Sequence, residues 1–148
     1  MQGIETDAVA DAELSDPVLV EGLPGVGQVG KLAAEHLLEE HADATLVRRV
    51  HAEHFPPQVL VDEDGTTRLA AATVHAVETD GRDLLVLTGD HQAGDGPGHY
   101  RLAGTFLDIA AEFGVTDVYA LGGVPTGELV EEYAVLGAVS GPELRDPL

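Results

Sequence analysis

The sequence predicts an α/β layered fold, with at least two helices packed on a mixed sheet. Three observations point there. Short apolar runs alternate with two stretches of helical periodicity, the pattern of strand, helix and strand. Aliphatic residues must carry the core, since the 148 residues include three Phe, three Tyr and no Trp. Two acidic, glycine-containing turns, Asp62-Glu63-Asp64-Gly65 and Thr79-Asp80-Gly81-Arg82, each sit between apolar runs and signal antiparallel hairpins.

In chain order, residues Met1 to Asp16 are polar and acidic without a clear period and read as a flexible acidic lead-in. Residues 17–148 read as a single α/β domain, since a chain of this length supports one core without staples. Pro17 to Glu21 is a short buried strand. From Gln28 to Glu40 the spacing places Val29, Leu32, Ala33, His36 and Leu37 on one helical stripe, with His36 at the helix–sheet boundary. Leu46 to Val50 is the next strand. Val59 to Val61 with Thr67 to Ala70, and Thr73 to Glu78 with Asp83 to Thr88, form the two hairpins. Pro97 suits the first turn of a second helix whose apolar face is Leu102, Phe106, Ile109, Ala110 and Phe113, stopped by Gly114. Asp117 to Leu121 is strand again, and Val135 to Val139 reads as the last.

Charge narrows the function classes. The 27 acidic residues against seven basic ones give a net charge of −20, and the acids are scattered rather than gathered in a tail. Such a surface suits molar cytoplasmic salt, where the Debye length shrinks to about 3 Å. Without a basic patch to displace counterions, sequence-independent nucleic-acid binding is not expected. The lack of Cys excludes disulfides and thiolate metal sites and suits the cytoplasm. No run of about 18 apolar residues offers a membrane span.

Lys31 is the one lysine. It ends the loop that holds Gly22, Gly25, Gly27 and Gly30, between the first strand and the first helix. Gly25 to Gly30 matches a dinucleotide fingerprint, and Gly25 with Gly30-Lys31 matches most of a phosphate-binding loop. Neither match is complete. Leu32 stands where the phosphate loop needs a hydroxyl, and His51 and Glu53 replace the acid expected after the second strand. Three readings stay open: a tight turn that lets helix and sheet approach, a phosphate or nucleotide cradle, and a partner-contact loop. For Lys31 alone the plain alternative is a surface pair with Glu35. Three further loops follow apolar runs: His51 to Gln58, Gly89-Asp90-His91-Gln92, and Gly122-Gly123-Val124-Pro125-Thr126-Gly127. Ligands of open α/β sheets bind beyond the carboxyl ends of strands, so parallel strands would bring these loops to one edge. His91 and His99 with Asp90 and Asp95, and His51 with His54 and Glu53, are the metal-like sets, and both lie in weakly supported contexts; no metal or cofactor is expected. No Ser or Cys sits in a nucleophile setting, so no catalytic residue is assigned.

Together these blocks resemble the proteasome assembly chaperone family in its archaeal branch. The run Pro17 to Lys31, then Phe55-Pro56-Pro57-Gln58, then Leu87-Thr88-Gly89-Asp90 with Gln92, then Leu121-Gly122-Gly123 with Thr126-Gly127, follow the family's order over about residues 17 to 142. The resemblance implies a phosphorylase/hydrolase-like three-layer α/β/α sandwich with a mixed, mostly parallel sheet. It implies no established catalysis, self-association into a homo-oligomer, and proteasome α-subunits or assembly intermediates as partners. The ligand or partner loop residues it marks are Gly22, Gly25, Gly27, Gly30, Lys31, Pro56, Pro57, Gln58, Asp90, Gln92, Gly122, Gly123, Thr126 and Gly127. Related sequences have also been described, on fold or motif grounds alone, as candidate nucleotide-dependent ligases, which keeps open an enzyme that uses Gly25 to Lys31. The chain ends Arg145-Asp146-Pro147-Leu148 without the hydrophobic–tyrosine docking tail of some archaeal members, and such members commonly continue further. The expectation is a piece of a longer protein or a short paralogue.

Overall fold

The computed structural model describes residues 1–146; Pro147 and Leu148, on which the docking-tail expectation falls, lie outside the described residues. The elements run β1 Ile4–Ala8, β2 Val18–Glu21, α1 Val29–Glu40, β3 Thr45–Ala52, β4 Val59–Val61, β5 Thr67–Leu69, β6 Ala72–Val77, β7 Leu84–Gly89, α2 Gly96–Glu112 and β8 Asp117–Ala120. Six strands form one sheet in the order β1-β3-β6-β7-β2-β8, and β4 and β5 form a separate antiparallel hairpin.

The sheet is mixed. β2 lies parallel to β7 on one side and to β8 on the other, while β6 runs antiparallel to both β7 and β3. A strand antiparallel to β6 points the same way as β7, so β2, β3, β7 and β8 share one direction. β6 and β1 oppose them.

Alternation along β7 splits the core between two faces. Leu85 and Leu87 join Leu19, Val50 and Val74 against Leu102, Phe106 and Ile109 of α2. Val86, with Val77, packs against Ala34 of α1. The helices therefore cover opposite faces, as the layered expectation required. Leu85, Val86 and Leu87 are each almost fully buried, and each contributes about 1.5–3 kcal/mol by leaving water. α2 forms where its caps say it should. The Asp95 side chain accepts from the Gly98 N–H at 2.6 Å, Pro97 lies in the first turn, and Gly114 follows the end with φ +80°.

Four expectations need correction. The lead-in is not structureless: Ile4–Ala8 is an edge strand paired with β3, because its backbone, not its polar side chains, supplies the ladder. The stripe expected to bury on α1 faces mostly outward, with Leu37 alone half-buried. Val29 is 50% and Leu32 60% exposed, Ala33 and His36 are exposed, and Gly30 and Ala34 point to the sheet instead. The close approach of α1 selects its smallest residues for the buried side. His36 accordingly lies away from the helix–sheet boundary. Residues Val135 to Val139 form no strand; Val135 is fully exposed, because no neighbouring strand is there to pair with it.

Candidate functional site

β2 and β7 are neighbours, yet the chain leaves them toward opposite faces. After β2 it enters α1, and after β7 it enters α2. Their carboxyl ends therefore form a topological switch point, where open α/β sheets place their sites. Glu21, Ala52, Gly89 and Ala120 all end strands of one direction, so all four singled-out loops emerge from this edge.

The loops are fastened to one another at backbone level. Lys31 Nζ donates to the Gly89 carbonyl at 2.9 Å and pairs with Glu35 at 2.5 Å. Gln92 Nε2 donates to the Pro24 carbonyl at 2.6 Å. The Leu121 N–H donates to the Glu21 carbonyl at 2.8 Å, and the Gly94 N–H to that of His54 at 2.8 Å.

Glycines make these approaches possible. A Cβ on Gly22 would overlap the Gly30 carbonyl oxygen, one on Gly30 would overlap the Leu121 carbonyl, and one on Gly123 the Val26 carbonyl. Gly27, with φ +63°, needs glycine for its backbone instead. Gly25, Gly122 and Gly127 have room for a side chain, although Gly127 adopts φ +72°. The remaining marked residues stand apart from this knot. Pro57 and Gln58 are exposed, Pro56 is half-buried, and Thr126 makes only a local turn in which its hydroxyl donates to the Glu128 carbonyl at 3.0 Å.

This geometry bears on the three readings of the first loop. The Gly22, Leu23 and Gln28 N–H groups go to Leu87, the Glu21 carboxylate and Gly25. The Lys31 ammonium turns to the end of β7 rather than over the loop. The Lys31 contacts favour the close-approach and partner-contact readings over a phosphate cradle, while the Gly25, Val26 and Gly27 N–H groups have no partner among the described residues.

Asp90 is anchored in the same corner. Arg68 grips its carboxylate with two nitrogens, at 2.5 and 3.0 Å, and the Ala71 N–H adds a third bond at 3.0 Å. Burial pushes the Asp90 carboxyl up, but the Arg68 and Ala71 bonds outweigh it and hold it below the usual range. The bonds to Asp90, and then to Asp62, raise Arg68 further above its already high value. The Asp95 carboxylate is taken by His54 at 3.0 Å and by its capping bond from the Gly98 N–H. His51 lies near Asp7 and the Ala70 carbonyl.

Two features escaped the sequence. Arg68, in a hairpin with no motif, turned out to be the partner of Asp90. Glu21, at the end of a buried strand, borders an apolar cleft of about 270 Å³ lined by Leu19, Leu23, Leu102, Phe106 and Val118. Burial raises the Glu21 carboxyl, offset in part by the Leu23 N–H.

Comparison with known proteins extends this picture. Residues 19–148 match the model of the PAC2 family. The chain is 41% identical, over all of its length and 57% of the relative's, to an uncharacterized protein of Methanocaldococcus jannaschii. It is similar to the crystal structure of Pyrococcus furiosus PbaB, described as an archaeal proteasome activator, with TM-score 0.83 and 34% identity over 89% of this chain and 56% of that one. The fold is shared with Pyrococcus furiosus PbaA, an archaeal homolog of proteasome-assembly chaperone, with TM-score 0.62 and 21% identity over 87% of this chain and 52% of that one. The chain thus spans a little over half the length of these relatives. With the family model matching from β2 onward, and with the loop motifs gathered on one sheet edge, the chain belongs to the PAC2 family.

Proposed function

We propose that this protein is a non-catalytic, proteasome assembly chaperone-like module of the cytoplasm that self-associates and holds proteasome core subunits, the α-subunits or their assembly intermediates. The observation that carries the reading is the locked corner. Three of the four loops on one edge are held together through Lys31, Gln92, Gly30 and Gly123 by bonds and close packing within the chain. Pre-ordered loops bind a partner with little entropy loss. The family membership and the similarity to PbaB support a proteasome-related partner.

An apolar stripe adjoins the corner. Val26, Val29, Leu32 and Val124 are exposed on a surface that carries a net −20. Apolar side chains grouped on so charged a surface favour contact with another protein. We assign self-association or subunit contact to this stripe, and the acidic remainder to solubility in concentrated salt.

Retention of purified proteasome α-subunits by the immobilised protein, in molar KCl, tests the reading. Binding weakened at least tenfold by Leu32→Glu, with the circular dichroism spectrum unchanged, is the expected result. Wild-type protein that retains neither α-subunits nor half-assembled cores would refute it.

A further inference from the structure

On the α1 face, the sheet changes character halfway along its strands. Val77 and Val86 lie under α1, but toward the carboxyl ends of β3 and β7 the same face turns polar. The pairings Arg49↔Thr73 and Thr73↔Thr88 place these three residues in one lateral row across β3, β6 and β7. The row floors a cleft of about 490 Å³, with His51 beside it, Lys31 and Glu35 on the α1 wall, and Arg68 on the opposite wall.

Three of the chain's seven Lys and Arg residues line this one cleft. The acids around it are largely committed. Glu35 pairs with Lys31, and Asp62 and Asp90 both hold Arg68. Arg49 has no acidic partner within ion-pair distance among the described residues. Thr88 is buried, and its hydroxyl has no hydrogen-bond partner among them either. An unpaired guanidinium and an unsatisfied hydroxyl in register share one need, an acceptor with two oxygens.

We propose that this cleft binds a carboxylate group, gripped by Arg49 as a two-pronged donor and completed by the hydroxyls of Thr73 and Thr88. A monoanion is preferred to a phosphate dianion, because Glu35, Asp62 and Asp90 already ring the cleft with negative charge. The carboxylate belongs either to a small organic acid or to the end of a peptide, and the two sources present the same atoms. The site borders the locked loops at Lys31, Gly89 and Asp90, but its donors Arg49, Thr73 and Thr88 lie outside both those loops and the apolar stripe, so it stands whether or not the subunit-binding reading does.

Titration of the ¹⁵N-labelled protein at fixed molar KCl tests it, with four probes: sodium acetate, inorganic phosphate, an acetylated tripeptide with a free carboxyl end, and the same tripeptide amidated. Saturable shifts of the Arg49, Thr73 and Thr88 amides are expected with acetate and the free-acid peptide. The amide should produce none. Arg49→Gln should weaken the response at least tenfold, Thr88→Val severalfold, and Arg101→Gln not at all. A peptide bound at least tenfold more tightly than acetate identifies a chain terminus as the source; equal binding identifies a small acid. Absence of saturable shifts, a stronger response to phosphate, or an Arg49→Gln protein that responds like wild type would overturn the proposal. Should Arg49→Gln fail to fold, Thr88→Val and the amidated peptide decide it.

Discussion

At Gly30 a single hydrogen decides how closely α1 and the end of β8 can meet. A methyl group there would overlap the Leu121 carbonyl, whereas at Gly122 it would meet open space. Over-packing a tight site costs about 1–3 kcal/mol. Gly30→Ala should therefore lose about that much in denaturant unfolding, and Gly122→Ala should stay within about 0.5 kcal/mol of wild type. Equal effects would mean that the corner is looser than its geometry indicates. Asp90 carries a pH prediction. Its native carboxyl lies below its unfolded value near 4, so the native state binds fewer protons. Its contribution is complete above that unfolded value and is lost as the pH falls through the lower native one. Asp90→Asn should flatten the acid limb of the stability profile, and an unchanged limb would contradict the pairing with Arg68. Glu21 has the opposite sign. With its native carboxyl raised by burial, the protein gains by holding the proton, and that gain fades as pH rises through the raised value. Glu21→Gln should thus be relatively more stabilising at neutral than at acid pH, as read by thermal unfolding.

At the scale of elements, the two helices show what the sequence could and could not tell. The periodicity of α2 named its buried face correctly, because a helix resting on large aliphatics buries its largest residues: Leu102, Phe106 and Ile109. In α1 the same rule pointed to the wrong side. This helix sits so close to β2 and β7 that Gly30 and Ala34 are its fully buried residues, Leu38 packs at the edge of the same cluster, and Val29 and Leu32 are left outside. Hydrophobicity alone does not report how near two elements come. Hence Leu102→Ala should cost about 2–5 kcal/mol by opening the core, and Leu32→Ala well under 1 kcal/mol in the isolated chain. Comparable losses would show that the stripe is buried after all. The β1 strand was hidden for a related reason: an edge strand with polar side chains is held by backbone bonds to β3 that side-chain patterning does not display. The hairpins were legible because their turns carry local chemistry. Asp62 to Gly65 closes through the Gly65 N–H to the Asp62 carbonyl, and the Asp83 carboxylate accepts from the Thr79 N–H. Of the marked site residues, those whose glycine or amide has a backbone reason came together. Arg49 and Arg68 carried no motif; Arg49 emerged through strand pairing and Arg68 through its side-chain bonds to Asp90.

For the whole molecule, charge and shape pull in different directions. A net −20 on 148 residues repels itself at low ionic strength, and molar salt screens that repulsion. The melting temperature should rise steadily from about 0.1 to about 3 M KCl, and a flat response would remove salt adaptation from the account. Against this field stand an apolar stripe and a rigid corner on one edge, the combination expected of a protein that holds another. Analytical ultracentrifugation of the protein with proteasome α-subunits in molar KCl tests this most directly. The account predicts a co-sedimenting complex that Leu32→Glu abolishes while the variant alone remains folded. Independent sedimentation of wild-type protein and α-subunits at every concentration would contradict it.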